Sequence, residues 1–322
     1  MLSRAAERMY WFGRQVERAE NISRLISVNA NLILDLPRMG KQIWGSLVDI
    51  TGSHESYYNK YQKAEERHIT RFILVDESNP ASLYSTIKMA RENARVSREI
   101  MPSESWEKIN EFYLYVKKNA EKSINREGRH KFLNVVTSYC NLITGILFGG
   151  MSHGSAYSFI RIGRNLERAD MTTRIVDVGC LNLIKQGNDL TSAYADLLWM
   201  NVLRSLSAYQ MYRQHVKDRV NGEDVVAFTI KDLDFPRSTA HCLNEINNCF
   251  SRLPKNDVPL RAVTHTQRLI NEVSVDKLME SGLHEFIDEI QIDIAELHTQ
   301  IGQTWFGHEI ENHVMAAAAS GK

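Results

Sequence analysis

Hydrophobic residues recur every three to four positions over most of the chain, the spacing that places them on one face of an α-helix. Only six prolines occur among the 322 residues, so long segments lack the residue that most often ends a helix. No run of alternating hydrophobic and polar residues is long enough to predict a convincing strand. The pattern therefore predicts an all-α protein.

The periodic segments also predict where the helices lie. They cover residues 2–35, 40–71, 81–100, 103–122, 127–148, 152–186, 190–219, 237–253, 258–272 and 282–306. Ser82, after Pro80, and Ser103, before Trp106, are typical helix starts. A serine hydroxyl at such a position can accept a hydrogen bond from a free N–H of the first turn.

One charged motif occurs twice. Residues 13–20 read GRQVERAE, and residues 163–170 read GRNLERAD, 150 positions later. Arg24 and Arg174 stand at the same offset from the two copies. The copies keep their charged residues while the apolar ones change, so the charges are the feature that the two copies share. We interpret the motif as part of an internal duplication.

A second pair of segments extends the duplication. Residues 72–82 and 228–238 share an aspartate, a proline and a serine in register. Two copies of one helical unit bury each other's apolar faces when they pack together. The sequence therefore predicts a multi-helix bundle of two tandem repeats, about 1–150 and 151–306, related by a pseudo-twofold axis.

Composition indicates an ordinary globular protein, with 43% hydrophobic and 24% charged residues. Lys+Arg and Asp+Glu are equal at 39, so no net charge favours nucleic acid or an anionic membrane as a partner. No connector rich in Pro, Gly and Ser separates the repeats. We expect one domain over residues 1–314 and a flexible tail over 315–322.

The compartment follows from the cysteines and the N-terminus. The four cysteines are widely spaced and form no Cys-x-x-Cys pair, which is typical of a reducing cytoplasm. Residues 1–8 carry charges where a signal peptide needs apolar residues. Segment 132–148 is shorter than the ~20 residues of a membrane span. We interpret it as a buried helix that ends at Gly149 and Gly150, and we expect a cytoplasmic protein.

Each copy of the repeated motif places a charged stripe on one side of an amphipathic helix. The stripe contains Arg14, Glu17, Arg18 and Asn21 in the first copy and Arg164, Glu167 and Arg168 in the second. Glu20 and Arg24, like Asp170 and Arg174, follow at the i,i+4 spacing of a helix salt bridge. All repeated cations are arginines, whose planar group can hold a carboxylate or phosphate through two parallel hydrogen bonds.

Three interpretations of the stripes stay open. The stripes form solvated pairs worth ~0.2–0.5 kcal/mol each, or a buried network between the repeats that is purely structural. Alternatively, the buried network binds an anionic ligand, with Glu17 or Glu167 placed for proton transfer or metal binding.

A third arginine-rich segment, residues 90–99, places Arg91, Arg95 and Arg98 on one face of a helix. Three like charges repel one another unless a negative group lies among them. The candidates for that group are Glu17, Glu167, Asp76 and a ligand, with an internal acid favoured. Arg237, after Pro236, stands at a predicted helix N-terminus, a position that favours either an anion or an ordinary cap.

Several familiar sites are missing from the sequence. His308 and His313 suggest the zinc-protease helix motif, but Asn312 stands where the second histidine is required. The chain has no Walker-type phosphate loop, no Gly-x-Ser-x-Gly elbow and no paired-cysteine metal site. We expect no metal site, and we interpret single histidines such as His153 and His265 as surface or core residues.

Taken together, the motifs resemble those of the bacterial Alpha-E family, which is named for its predicted all-helical structure and its Glu-Arg motifs. They are MLSR at 1–4, YWFGR at 10–14, ERAEN at 17–21, ARENAR at 90–95, GRNLERADM at 163–171, FPRS at 235–238 and the helix at 283–306. The resemblance covers nearly the whole chain. The polar stretch around 52–67 departs from the family pattern, and this departure affects only the expected geometry of a local loop.

The resemblance implies an association with circularly permuted ATP-grasp ligases and transglutaminase-like peptidases, and hence peptide or amide-bond metabolism. The expected role is that of a helical partner of an ATP-grasp ligase, binding an anionic peptide or amino-acid substrate between the repeats. We expect this chain alone to bind no cofactor, and we expect the partner ligase to bind ATP and Mg.

The resemblance also implies roles for individual residues. Glu17 and Glu167 are the candidate catalytic residues. The candidate substrate-binding residues are Arg14, Arg18, Asn21, Arg24, Arg91, Asn93, Arg95, Arg164, Arg168, Asp170, Arg174, Arg237 and Ser238. Two alternatives remain: an independent transferase or hydrolase that uses the Glu17/Glu167 pair, and a non-catalytic interaction scaffold with a structural arginine network.

Overall fold

The computed structural model describes residues 2–184 and 188–307, and it describes the side chains of these residues except those of 182–194. This part of the chain contains fifteen α-helices and no strand. The helices are α1 Ser3–Asp35, α2 Gly40–Ile50, α3 His54–Tyr58, α4 Glu66–Leu74, α5 Leu83–Val96, α6 Ser103–Asn119, α7 Arg126–Gly150, α8 Ser155–Ile184, α9 Asn188–Ser205, α10 Tyr209–His215, α11 Gly222–Lys231, α12 Thr239–Phe250, α13 Asp257–Glu272, α14 Val275–Glu280 and α15 Leu283–Ile301. A π-helical turn, Gly302–Phe306, continues α15. The predicted all-α class is confirmed.

The two longest helices, α1 and α8, pack against each other at the centre of the fold. α5 and α7 pack on α1, while α12 and α15 pack on α8. One hydrophobic cluster runs through these helices from Ala6 to Phe306. The charged stripes of α1 and α8 therefore lie at the centre of the molecule.

Glycine permits the close approach of α1 and α8. A Cβ atom on Gly13 would overlap the carbonyl oxygen of Ile160, and one on Gly163 would overlap that of Tyr10. Only a residue without a side chain fits where two backbones come this close. The same position of each charged motif thus lies at the crossing of the two helices.

Most predicted helices are confirmed, but two predicted helices are each interrupted by a turn in the structure. The segment predicted as one helix over 40–71 contains α2, α3 and the first two-thirds of α4, which ends at Leu74. Gly52, at φ +63°, turns the chain after α2. The segment predicted over 190–219 is interrupted at Ser207, whose φ is +54°. The helical spacing of hydrophobic residues continues through such turns, so the sequence pattern does not reveal where the turns lie. Helices α11 and α14 were not predicted.

The two predicted helix starts have different outcomes. Ser82 caps α5, accepting a hydrogen bond from the N–H of Ser85 at 3.2 Å, as predicted. α6 does begin at Ser103, but its cap residue is Pro102 and no side chain caps it. The Ser103 hydroxyl instead donates to Glu104 at 3.3 Å.

Helix α7 ends at Gly150, near the predicted stop, but it is not fully buried. Leu142 and Phe148 are 46% and 67% exposed, so the prediction of a buried helix was wrong for its outer face. Among the described residues, α7 is the one helix that is long and apolar enough to cross a membrane, and 33% of its most apolar window is buried within the fold. The tail 315–322 and the histidines at 308 and 313 lie outside the described residues.

Candidate functional site

Glu17, on α1, accepts contacts from three arginines of other helices and loops. Its Oε2 atom lies 3.2 Å from Arg164 Nε and 2.9 Å from Arg168 Nε, both on α8. Its Oε1 atom accepts a hydrogen bond of 2.7 Å from Arg237 Nη1. The Arg168 contact is an ion pair rather than an aligned hydrogen bond, because Arg168 Nε has no hydrogen-bond acceptor among the described residues.

Glu167, on α8, makes the reciprocal contacts with α1. Its Oε2 atom accepts hydrogen bonds from Arg14 Nε at 2.7 Å and from Arg18 Nη2 at 3.0 Å. Its Oε1 atom accepts one from Arg18 Nε at 2.6 Å. Each glutamate thus pairs with the arginines of the opposite copy of the motif, and the predicted buried network between the two copies is present.

Arg237 extends the network along α1. Besides Glu17, it donates to Glu20 at 2.6 Å and to Asn21 Oδ1 at 2.9 Å. Arg24, one helical turn further along α1, forms an ion pair with Glu20, with 2.8 Å between Arg24 Nη2 and Glu20 Oε1. Asp170 and Arg174 form the corresponding i,i+4 pair on α8, at 2.9 Å.

We call this set the arginine–glutamate network. It consists of Arg14, Glu17, Arg18, Glu20, Asn21, Arg24, Arg164, Glu167, Arg168, Asp170, Arg174 and Arg237. Seven guanidinium groups face four carboxylates within it, so three positive charges are unbalanced. The amide Nδ2 of Asn21 is buried and has no hydrogen-bond acceptor in the described part of the chain.

Both central glutamates are held ionised. Their side chains are 1% and 2% exposed. Burial opposes the charged form of Glu167, but Arg18 and Arg14 outweigh it and lower its pKa to about 2. Burial likewise opposes ionisation of Glu17, and Arg168, Arg237 and Arg164 together hold its pKa well below the usual range.

A small groove of about 30 Å³ reaches the network from the surface. It lies between α1, α7 and α8, beside Glu17 and Arg164, and Thr144, Tyr157 and Arg161 line it. Arg164 is 30% exposed, and its Nη atoms have no partner among the described residues. Arg18, at 25% exposed, is the other central arginine that water reaches readily.

The predicted residues Arg91 and Arg95 lie apart from the network. Arg91 donates to Asn110 on α6 at 2.7 Å and stacks over Tyr113, with its guanidinium carbon 5.0 Å from the ring centre. Arg91 and Arg95 both pair with Glu92, at 2.8 Å. The acid between these arginines is therefore Glu92, an internal acid as favoured, and the named candidates Glu17, Glu167 and Asp76 were wrong.

The remaining predicted residues have local roles. Asn93 donates to Gln15 of α1 at 3.0 Å and so ties α5 to α1. Ser238 caps α12 by accepting from His241 N–H at 3.1 Å, and its hydroxyl donates to the carbonyl of Asp232. Asp76, a predicted partner of Arg91, instead pairs with Lys60 at 2.5 Å.

The sequence did not predict that Tyr10 and His298 contact the network through Arg14. The Tyr10 hydroxyl accepts a hydrogen bond from Arg14 Nη1 at 3.3 Å and lies 2.7 Å from His298 Nδ1 on α15. Burial raises the pKa of Tyr10 to about 12, so it stays a neutral phenol. The YW pair in the first motif was a visible signal, but nothing in the sequence connects it to a histidine 288 residues away.

One group of side chains with metal-binding atoms exists among the described residues. Single ligand atoms of Asp177, His284 and Asp288 lie within 4.8 Å of one another. His284 Nδ1 lies 2.7 Å from Asp177, and this hydrogen bond raises the pKa of the imidazole. The contact joins α8 to α15 through a hydrogen bond that becomes an ion pair when His284 is protonated.

Residues 1–306 match the sequence model of the Alpha-E family. That family is described as a predicted alpha-helical domain with a conserved ER motif. The chain belongs to the Alpha-E family. Glu-Arg pairs stand at 17–18 and 167–168, at the centre of the network of this Alpha-E protein. No curated protein and no solved structure matches the chain.

Proposed function

We propose that this Alpha-E protein is a helical partner of an ATP-grasp-type ligase in peptide or amide-bond metabolism. It binds a carboxylate-bearing, peptide-like substrate at the arginine–glutamate network, and ATP and Mg belong to the ligase. The observation that carries the proposal is the excess of three guanidinium charges in the network, which falls on its partly exposed arginines.

The three buried arginines are matched by three buried glutamates, so the excess lies on arginines that are 25–32% exposed, where an anionic ligand can reach them. A substrate carboxylate at the groove beside Arg164 would supply a counter-charge. The Nη atoms of Arg164 are free of protein partners in the described residues, and the guanidinium geometry suits two parallel hydrogen bonds to a carboxylate.

The network is better suited to binding than to proton transfer. A general base works best when its pKa lies near the operating pH, and the pKa of Glu167 is about 2. Both glutamates accept contacts at both oxygens, which leaves little capacity for a substrate proton. We therefore favour electrostatic roles for Glu17 and Glu167 over an independent transferase or hydrolase built on this pair.

A non-catalytic scaffold is the second candidate. The near-complete burial of Glu17 and Glu167 favours it, because such a network stiffens the α1–α8 crossing without any ligand. The two candidates differ in one property: only the substrate-binding protein needs the Nη donors of Arg164 that no protein group uses in the described part of the chain.

We also propose that the two halves arose by duplication, within one cytoplasmic domain. The reciprocal pairing of Glu17 and Glu167 supports this origin. So does the equivalent turn before α5 and α12, where Ser82 and Ser238 occupy the same capping position.

The test uses the tagged full chain, isolated from its own cells with whatever it binds. We expect an ATP-grasp-type protein to be retained. We also expect the complex to release ADP from ATP when an anionic peptide fraction of the same cells is added. The double variant Arg18→Gln/Arg164→Gln should lower this release about tenfold, as expected for the loss of one or two charge-assisted hydrogen bonds.

Arg219→Gln is the matched control, since Arg219 is 86% exposed and pairs with Asp196 outside the network. It should leave ADP release unchanged. Retention of the ligase with full ADP release in the double variant would favour the scaffold. Absence of any ATP-grasp-type protein would contradict the proposal.

A further inference from the structure

A second cavity lies away from the arginine–glutamate network, between α1, α2, α4 and α7, and its volume is about 200 Å³. Its apolar wall consists of Ala30, Ile33, Leu34, Trp44 and Leu133. Its polar groups are Ser27, Asn31, Glu66, Arg126, Arg129 and His130. None of these residues belongs to the network, so the cavity is a separate candidate site.

A kink at the start of α7 shapes the polar side of the cavity. Glu127 and Gly128 are non-helical, and Gly128 has a φ of +79°. Residues on either side of the kink, Arg126 and Arg129, therefore converge on Glu66. Arg126 Nη2 lies 2.6 Å from its Oε2 atom, and Arg129 Nη1 lies 2.9 Å from its Oε1 atom.

Two arginines face one carboxylate here, and only one of them is fully engaged. Arg129 is buried, donates to the carbonyls of Ser123 and Ile124 as well as to Glu66, and lies over Trp44, 5.5 Å from the ring centre. Arg126 is 73% exposed, and its Nη1 atom has no partner among the described residues. The rim of the cavity therefore carries one positive charge that the protein does not neutralise.

The volume limits what can enter. An apolar protein cavity of ~150 Å³ is large enough to hold benzene. A cavity of about 200 Å³ with Trp44 and Leu133 as walls has room for an aryl or branched aliphatic group. Leu34, 74% exposed, extends the apolar wall to the mouth, where Arg126 stands.

We propose that this cavity binds a small molecule or peptide end that combines an apolar group with a carboxylate. The apolar group packs between Leu34, Trp44 and Leu133. The carboxylate accepts hydrogen bonds from the free edge of Arg126 at the mouth.

Calorimetric titration of the purified full chain tests this proposal with three probes. These are 3-phenylpropionate, the uncharged 3-phenylpropionamide, and N-acetylphenylalanine, whose carboxylate stands beside an amide as at the end of a peptide. We expect both acids to bind at least tenfold more tightly than the amide, the effect of one charge-assisted hydrogen bond. The tighter of the two acids identifies a peptide end or a free acid as the source.

Two surface variants complete the test, chosen because exposed positions tolerate substitution. Arg126→Gln should bring the acids to the affinity of the amide and leave the amide unchanged. Leu34→Glu should weaken both acids about tenfold or more through loss of the wall and repulsion of the carboxylate. Arg219→Gln should change nothing.

Equal binding of acid and amide to the unaltered chain, or no binding of any probe, would overturn the proposal. So would unchanged acid binding by Arg126→Gln. The arginine–glutamate network shares no residue with the cavity, so these outcomes do not bear on the ligase-partner function.

Discussion

Glu17 contacts three arginines, whereas Glu167 contacts two, and one position accounts for the difference. Arg237 follows Pro236 before α12, and in the first half Ala81 follows Pro80 before α5. The first half therefore lacks a guanidinium at the position from which Arg237 reaches across to Glu17. The two otherwise similar carboxylates consequently have different amounts of positive charge around them.

We predict that Glu17→Gln lowers the free energy of unfolding by ~3–5 kcal/mol, the usual cost of breaking a buried ion pair. Glu167→Gln should cost less, because fewer arginines lose their counter-charge. Urea unfolding measures both. Glu121→Gln is the control, since Glu121 is 58% exposed and pairs with Arg71, itself 41% exposed; it should change stability by less than ~1 kcal/mol. Equal values for all three variants would contradict the burial argument.

Stability should also depend on pH through Glu167. Its pKa is about 2 in the folded protein, below the ordinary value of 4.5, so the folded state favours the ionised form. This contribution is fully present above pH 4.5 and is lost as the pH falls towards 2. Urea unfolding at several pH values in this range should show a smaller loss for Glu167→Gln than for the unaltered chain. An identical pH slope would show that Glu167 does not titrate in this way.

The sequence was informative about these residues because the i,i+3 and i,i+4 spacing fixes which side chains share a helix face. It does not fix what that face meets. Arg91 and Arg95 have the same spacing as the network arginines, yet Arg91 reaches Asn110 of α6, and Arg95 is exposed and pairs with Glu92 of its own helix. The stripes on α1 and α8 differ from it in being repeated, and that repetition was the useful signal.

At the scale of helices, the crossing of α1 and α8 sets the geometry of the network. Gly13 and Gly163 allow the two backbones to touch, and this brings arginine side chains of each helix within reach of the other's glutamate. The charged motif begins at these glycines in both copies. Close backbone contact and reciprocal ion pairing are therefore parts of one arrangement.

We predict that Gly13→Ala and Gly163→Ala each destabilise the fold by ~1–3 kcal/mol or more, because the added methyl group overlaps a backbone carbonyl that cannot move freely. Thermal or urea unfolding measures the effect. Gly145→Ala is the matched control, since a Cβ atom there meets no heavy atom within 4 Å. It lies in α7, where alanine should be neutral or stabilise by up to ~1 kcal/mol. A similar effect at all three glycines would contradict the close crossing.

Helix boundaries were predictable where a capping residue or glycine marks them, as at Ser82 and Gly150. They were not predictable where a single residue with positive φ interrupts an otherwise helical pattern, as at Ser207. The kink at Gly128 belongs to the second class. Its consequence, the convergence of Arg126 and Arg129 on Glu66, could be seen only in three dimensions.

At the scale of the whole molecule, two sites with unbalanced positive charge lie on successive parts of α1. The network occupies residues 14–24, and the cavity is lined from residue 27 onwards. The chain as a whole has equal numbers of acidic and basic residues, so these are local features that the net charge conceals. Both favour ligands with carboxylates, although they act independently.

The central claim is that the arginine–glutamate network binds an anionic peptide-like substrate, and a melting experiment tests it most directly. The unaltered chain and the Arg18→Gln/Arg164→Gln variant are each melted with tri-glutamate or with tri-glutamine amide, at constant ionic strength. We predict that tri-glutamate raises the melting temperature of the unaltered chain, that tri-glutamine amide does not, and that the variant responds to neither. Equal shifts with the two peptides, or an undiminished response of the variant, would contradict the claim.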